Sequence, residues 1–215
     1  MALNLENVAI GLKGQVLIKR FSLTIAPGEV VTLMGASGSG KSSLLSFIAG
    51  DLEKPFSADG RIILNGRFSG GLPPEDRNIG RLFQDDLLFP HLTVGENLMF
   101  GMRADHRRAR ASAIVAALRD ADLKGFADRP PHTLSGGQRA RVALMRALLA
   151  EPDAMLLDEP FNKLDAELRT GMRRFVFDHL AERKMPCLLV THDRDDAPEG
   201  GRILKVTRDG EVRDD

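Results

Sequence analysis

Cysteine is nearly absent from this sequence. The single copy, Cys187, excludes an internal disulfide and any metal site built on a cysteine cluster. It lies in the apolar stretch Cys187-Leu188-Leu189-Val190, where a buried strand residue is expected rather than a nucleophile. An excess of either charge is missing too, since Lys+Arg and Asp+Glu both number 30 among 215 residues. Proteins devoted to nucleic acid usually carry a basic excess, so no nucleic-acid partner is expected. No apolar run approaches the ~18–20 residues that cross a bilayer. The opening MALNLENVAI lacks the basic start and apolar stretch of a secretory signal, and a soluble cytoplasmic protein is the expectation. Tyrosine and tryptophan do not occur at all. Also missing are repeats, low-complexity segments and any linker long enough to separate independent folding units.

What is present suffices for one large domain, with 43% hydrophobic residues to build a core. NLENVAI and QVLIKRFSLTI alternate around Gly11–Gly14 as paired strands do. EVVTLMG, AMLLDE and CLLVTHD are short, almost wholly apolar runs, the pattern of strands covered on both faces. KSSLLSFIAG, RRARASAIVAALRDAD, GGQRARVALMRALLAE and AELRTGMRRFVFDHLAER have helical character. RILKVTRDGEVRDD ends the chain as a hairpin turning at Asp209-Gly210. The layout implies an α/β fold with a mainly parallel sheet, an N-terminal antiparallel β subdomain and an inserted helical subdomain over about 87–150.

GASGSGKS follows a strand, opens a helix and fits G-x-x-x-x-G-K-[ST], the phosphate-binding loop. Gly35, Gly38 and Gly40 let backbone amides turn inward on phosphate oxygens, and the helix adds the positive end of its dipole. Lys41 suits the β and γ phosphates, and Ser42 offers a hydroxyl to Mg²⁺. A nucleotide is implied, but not yet which one.

DEPFNKLD pulls in two directions. Asn162-Lys163-Leu164-Asp165 spells the N-K-x-D by which GTPases read guanine, whereas Asp158-Glu159 closes an apolar run like a magnesium-holding strand end. LSGGQRAR decides between them. Ser135 and Gln138 form a capping box, yet that leaves unexplained two adjacent glycines, Gly136 and Gly137, each costing roughly 1 kcal/mol in a helix. Such glycines suit a backbone that must approach an anion closely. The loop at 35–42 already holds one set of phosphates, so this helix start suits a second subunit's nucleotide.

The sequence resembles the ATP-binding subunits of ABC transporters over essentially its whole length, through GASGSGKS, LFQDD, LSGGQ, AMLLDEP and VTHD in the family's order. LFQDDLLFPHLTVGENL is similar to the importer-type members. The resemblance implies a single ATPase domain, with the P-loop core and β subdomain over about 1–86 and 151–215. It implies ATP and Mg²⁺ as ligands. Gly35, Ala36, Ser37, Gly38, Ser39, Gly40, Lys41, Ser42 and Ser43 would bind the nucleotide, with Ser135, Gly136, Gly137, Gln138 and Asp165 acting across a head-to-tail homodimer. Asp158, Ser42 and Gln84 would serve the metal, Glu159 would be the general base, and His192 and Gln84 would sense the γ-phosphate. An integral membrane permease would be the partner, holding the subunit at the inner face of the membrane, and a solute-binding protein of the same system is a further candidate.

Under this resemblance Asn162–Asp165 falls in the family's D-loop, so its guanine-reading letters are coincidental. Asp122-Leu123-Lys124-Gly125, a D-x-x-G, trails a helix instead of a strand and does not restore the GTPase reading. A non-transport ABC-type ATPase, such as one in cofactor assembly, is the runner-up. Two departures stand out. The family stacks adenine on an aromatic in the first strand-to-strand loop, where this chain has only Leu12 or Lys13 to cover the base, so weak base selectivity is expected. Pro198, Gly200 and Gly201 should shorten the helix after His192. Finally, the segment Asp86-Leu87-Leu88-Phe89-Pro90-His91-Leu92 is expected to dock a permease helix, because Leu87, Leu88 and Phe89 are three apolar residues where a loop should be polar.

Overall fold

The computed structural model describes residues 1–102 and 110–215. The chain divides into two compact units, the first of residues 1–81, 153–159 and 177–215, the second of residues 82–152 and 160–176.

In the first unit, β1 (Leu3–Leu12) and β2 (Gln15–Ile25) pair antiparallel across the Lys13-Gly14 turn, and β4 (Phe56–Leu64) pairs on the other side of β1. With β5 (Arg67–Phe68) they make a sheet of order β2-β1-β4-β5. The alternation in β1 changes parity midway. Leu3 and Leu5 are buried, then Val8 and Ile10, because Asn7 adopts φ 50° and the ladder slips there. Such a bulge keeps apolar side chains on the core face beyond the extra residue.

The second sheet runs β10-β9-β3-β8-β7-β6. Its centre, β3 (Val30–Gly35), lies parallel to β8 (Cys187–Val190) and β9 (Ile203–Val206), and β7 (Ala154–Asp158) lies parallel to β8. All of β8 is buried, including Cys187, whose thiol burial pushes far up. Strand β10 (Val212–Asp214) returns antiparallel to β9 through Asp209-Gly210, as the hairpin expectation has it. Helix α1 (Lys41–Ala49) packs on β3 and β7, and a single core containing Leu33, Leu44, Leu45, Ile48 and Leu156 joins it to both sheets. After β8 only a short 3-10 turn forms, Arg194–Asp196, as the glycines and proline there require. Strand β6 (Ile79–Leu82) edges the sheet.

The second unit is helical: α2 (Val94–Gly101), α3 (Arg110–Asp120), α4 (Gly136–Leu149) and the first turns of α5 (Ala166–Glu182). The helix expected to begin at Arg107 starts outside the described residues. Helix α2 packs on α4 and opens with a capping box, Thr93 Oγ1 accepting from Glu96 N at 3.2 Å and Glu96 Oε2 from Thr93 N at 2.7 Å. Buried Asn97 accepts from Phe89 N at 2.8 Å and donates to Phe89 O at 3.1 Å. Arg146 donates to Leu87 O at 2.8 Å. These bonds pin the segment between Gln84 and α2 to the helices behind it.

Candidate active site

Strand β3 ends at Gly35, and six residues later, at Lys41, the chain enters α1. Gly38 and Gly40 take φ 79° and 92°, values that L side chains rarely adopt. They turn the loop back over the helix start. Gly40 caps α1 without any side-chain hydrogen bond, and the first turn holds no acidic residue. The helix therefore keeps its N-terminal amides and its positive dipole end for an anion. Lys41 is buried, and its Nζ donates to Gly35 O at 2.8 Å and Ala36 O at 2.9 Å. Burial pushes the Lys41 ammonium below its ordinary pKa, opposed by the nearby Glu159 and Asp158 carboxylates. Ser39 Oγ is buried with no hydrogen-bond partner among the described residues. An orphaned hydroxyl beside an uncapped helix start fits a site for phosphate.

Strand β7 delivers the acids to the same place. Ser42 Oγ donates to Asp158 Oδ1 at 3.0 Å. A hydroxyl beside one carboxylate is the hard-oxygen donor set that Mg²⁺ takes alongside substrate phosphates, so these residues fit that ion. Arg81 Nη2 holds the other oxygen, Asp158 Oδ2, at 3.2 Å. Glu159 sits at φ 47°, an uncommon conformation for a non-glycine residue. Its N–H is anchored to Val190 O at 2.8 Å. The neighbouring strand β8 runs on to His192, whose Nδ1 lies 3.3 Å from Glu159 Oε1. Behind it, Thr191 Oγ1 donates to buried Asp196 at 2.8 Å and accepts from Asp193 N at 3.1 Å, fixing the turn. Lys41, Ser42 and Glu159 line a cavity of about 240 Å³ together with Ser37, Gly38, Gly40 and Ser43.

Leu12, Leu17 and Phe56 complete that lining. Of the two residues expected to cover a base, Leu12 is in this lining and Lys13 is not. Lys13 is exposed, whereas a phenylalanine from β4 is included in the lining. Pairing of β4 with β1 puts it there, and no feature of the local sequence marks it.

The remaining candidates lie in the second unit. Ser135 caps α4, its Oγ accepting from Gln138 N at 3.3 Å while Gln138 Oε1 accepts from Ser135 N at 2.9 Å. Gly136 is exposed, and a Cβ there would meet nothing nearer than Arg139 Nη2 at 4.0 Å. Gly137 is different: it is buried, and a Cβ would come 3.3 Å from the Leu168 side chain. Gln84 and Gly136 line one cavity of about 180 Å³, with Asp85, Arg139 and Lys163. Asp165 caps α5, its Oδ1 accepting from Leu168 N at 3.0 Å. Lys163, the lysine of N-K-x-D, is ion-paired with Asp85, and the tetrad falls in the turns beyond the end of β7, away from a guanine-reading strand end.

The apolar run after Gln84 is less uniform than its sequence suggests. Leu87 is 52% exposed, but Leu88 is 8% and belongs to the interior. Phe89 is half-buried, its ring edge-on to Phe100 at 4.6 Å. Phe100, on α2, is 67% exposed, and nothing in its sequence position singles it out.

The family model described as "ABC transporter" matches residues 18–162. An uncharacterized ABC transporter ATP-binding protein of Escherichia coli K12, YnjD, is 44% identical over 204 residues, covering 94% of each chain. The sulfate/thiosulfate import ATP-binding protein CysA of Thermosynechococcus vestitus is 42% identical, over 99% of this chain and 63% of its own length. The putrescine transport ATP-binding protein PotG of Escherichia coli K12 is 42% identical, over 96% of this chain and 55% of its own. This chain thus spans nearly all of one relative and little more than half of the other two. Among solved structures, the dimeric ATP-binding cassette MJ0796, in a post-hydrolysis state with ADP and Pi, superposes with a TM-score of 0.78 at 33% identity. That match covers 99% of this chain and 97% of the other. The chain belongs to the ABC transporter family, among its ATP-binding proteins.

Proposed function

We propose that this chain binds and hydrolyses Mg-ATP as a head-to-tail dimer and passes the energy to a membrane permease. The observation that carries the proposal is the convergence of Lys41, Ser42, Asp158, Glu159 and His192 beside one uncapped helix start. Lys41 and the α1 amides hold the phosphates. Ser42 and Asp158 would hold magnesium, which would offset the negative charge of the phosphates. Glu159 accepts the proton of the attacking water, and His192 orients that carboxylate and reaches the terminal phosphate. Ser135 and Gly136 of one copy face the nucleotide held by the other, which gives the open backbone at Gly136 a use.

Permease docking falls to the segment after Gln84 and to α2, with Leu87 and Phe100 as its exposed apolar contacts. The pinning by Asn97 and Arg146 makes this segment stiff enough to transmit a displacement at Gln84. The relatives' names carry different solutes, which supports a division of labour in which other subunits choose the solute. Replacing Leu87 and Phe100 together by aspartate tests the docking. The melting temperature and the isolated subunit's ATPase should hold while co-purification with an integral membrane protein is lost. Co-purification that survives the double substitution would refute the docking assignment.

A further inference from the structure

The 240 Å³ cavity has a wall that phosphate chemistry does not use. Strand β1 ends at Leu12, β4 begins at Phe56, and these two are direct antiparallel partners. Directly opposed residues project on the same face of a sheet, within contact of each other. Leu17, on β2, reaches the phosphate loop itself, since a Cβ on Gly40 would stand 3.0 Å from the Leu17 Cβ. An apolar strip thus begins against the loop glycine and includes the aromatic ring at the start of β4. Every polar side chain in the lining (Ser37, Lys41, Ser42, Ser43 and Glu159) comes from the phosphate loop, its helix or the end of β7. The sheet contributes none.

We infer that Phe56 is the base-stacking surface of the nucleotide site, completed by Leu12 and Leu17, and that the site takes purine nucleoside triphosphates without distinguishing adenine from guanine. This rests on the proposed reading that the loop around Lys41 holds a triphosphate. Stacking on an aromatic face tolerates any base, because each base has a π-face. Telling guanine from adenine takes hydrogen bonds to the base edge, and the strip offers no side chain to make them.

The chain has no tryptophan and no tyrosine, so Phe56→Trp introduces a lone fluorophore at the proposed platform. Nucleotide binding is followed in parallel by equilibrium dialysis on wild type, Phe56→Trp and Phe56→Leu. Mg-ATP and Mg-GTP should both quench the Phe56→Trp emission, and Mg-tripolyphosphate should not. Phe56→Leu should weaken both nucleotides by roughly five- to a hundred-fold, the range expected for one lost stacking contact, and leave tripolyphosphate binding unchanged. The two nucleotides should compete at the wild-type site within about ten-fold. ATP retained on dialysis with no change in emission, and with undiminished affinity in Phe56→Leu, overturns the platform alone. A thousand-fold preference for either purine overturns the selectivity claim. Wild type that retains no nucleotide overturns the triphosphate reading and this inference with it.

Discussion

Arg81 is the residue through which Asp158, the acid proposed to hold magnesium, can be probed without replacing it. Its Nη2 donates to Asp158 Oδ2 at 3.2 Å, and its Nη1 to Ser46 Oγ at 3.0 Å and to Asp51 at 3.2 Å. The Arg81 and Asp158 side chains are only 11% and 15% exposed, whereas Asp51 is 43% exposed. Removing one partner of a buried pair costs about 3–5 kcal/mol, because the other charge is left uncompensated. The more exposed Asp51 arm adds at most about 1 kcal/mol. Arg81→Met should therefore cost about 3 kcal/mol, allowing for the residual exposure of Asp158. In a chain of this size that lowers the melting temperature by roughly 6–12 °C. Arg81→Lys keeps the charge and loses the fork, and should fall between wild type and Arg81→Met. Differential scanning fluorimetry with and without saturating Mg-ATP is the assay. If Asp158 faces the ion, bound Mg²⁺ supplies the missing positive charge, and the Arg81→Met deficit should shrink in its presence. An undiminished deficit would refute the metal assignment of Asp158, and a variant melting like wild type would refute the energetics of the pair.

Gly136→Ala should leave the fold intact, since the Cβ meets open space, yet it should sharply reduce ATPase turnover by blocking close backbone approach to the partner's nucleotide. Circular dichroism and phosphate release check the two halves. Asp209 is held down to about 2 by hydrogen bonds from the Thr207 hydroxyl first, then from Lys19 and the backbone. A carboxylate depressed in this way stabilises the fold fully above its unfolded pKa, and that contribution is lost as pH falls toward the folded value. The melting difference between wild type and Asp209→Asn should accordingly be constant above about pH 5 and shrink progressively as pH falls toward the folded value of about 2, disappearing only below it. A difference that is undiminished at pH 2 would show that the charge on Asp209 plays no role.

The central strands were legible because β3, β7 and β8 are covered on both faces and so read as unbroken apolar runs. The phosphate loop was legible because its glycines and lysine act over eight consecutive residues. Features made by long-range pairing were not. Phe56 reaches the cavity beside Lys41 by pairing with Leu12 across the β1–β4 ladder, and Arg81 reaches Asp158 across 77 positions. No periodicity encodes either meeting. The bulge at Asn7 shifts the parity of β1, which simple alternation does not foresee. Helix α2 could have been marked by Thr93-x-x-Glu96, a capping-box signal present in the sequence. Leu88 shows the limit of a run of apolar letters: it is buried while Leu87 beside it is exposed, and the letters alone do not separate the two.

The central claim is a site completed only by two copies with ATP between them. Glu159→Gln tests it most directly, because the amide keeps the shape and the Val190-anchored backbone while removing the base. Size-exclusion chromatography of this variant in Mg-ATP should show a stable dimer, with two nucleotides retained, that the wild type does not accumulate during turnover. A variant that stays monomeric with ATP bound, while the wild type hydrolyses ATP at a substantial rate, would contradict the account.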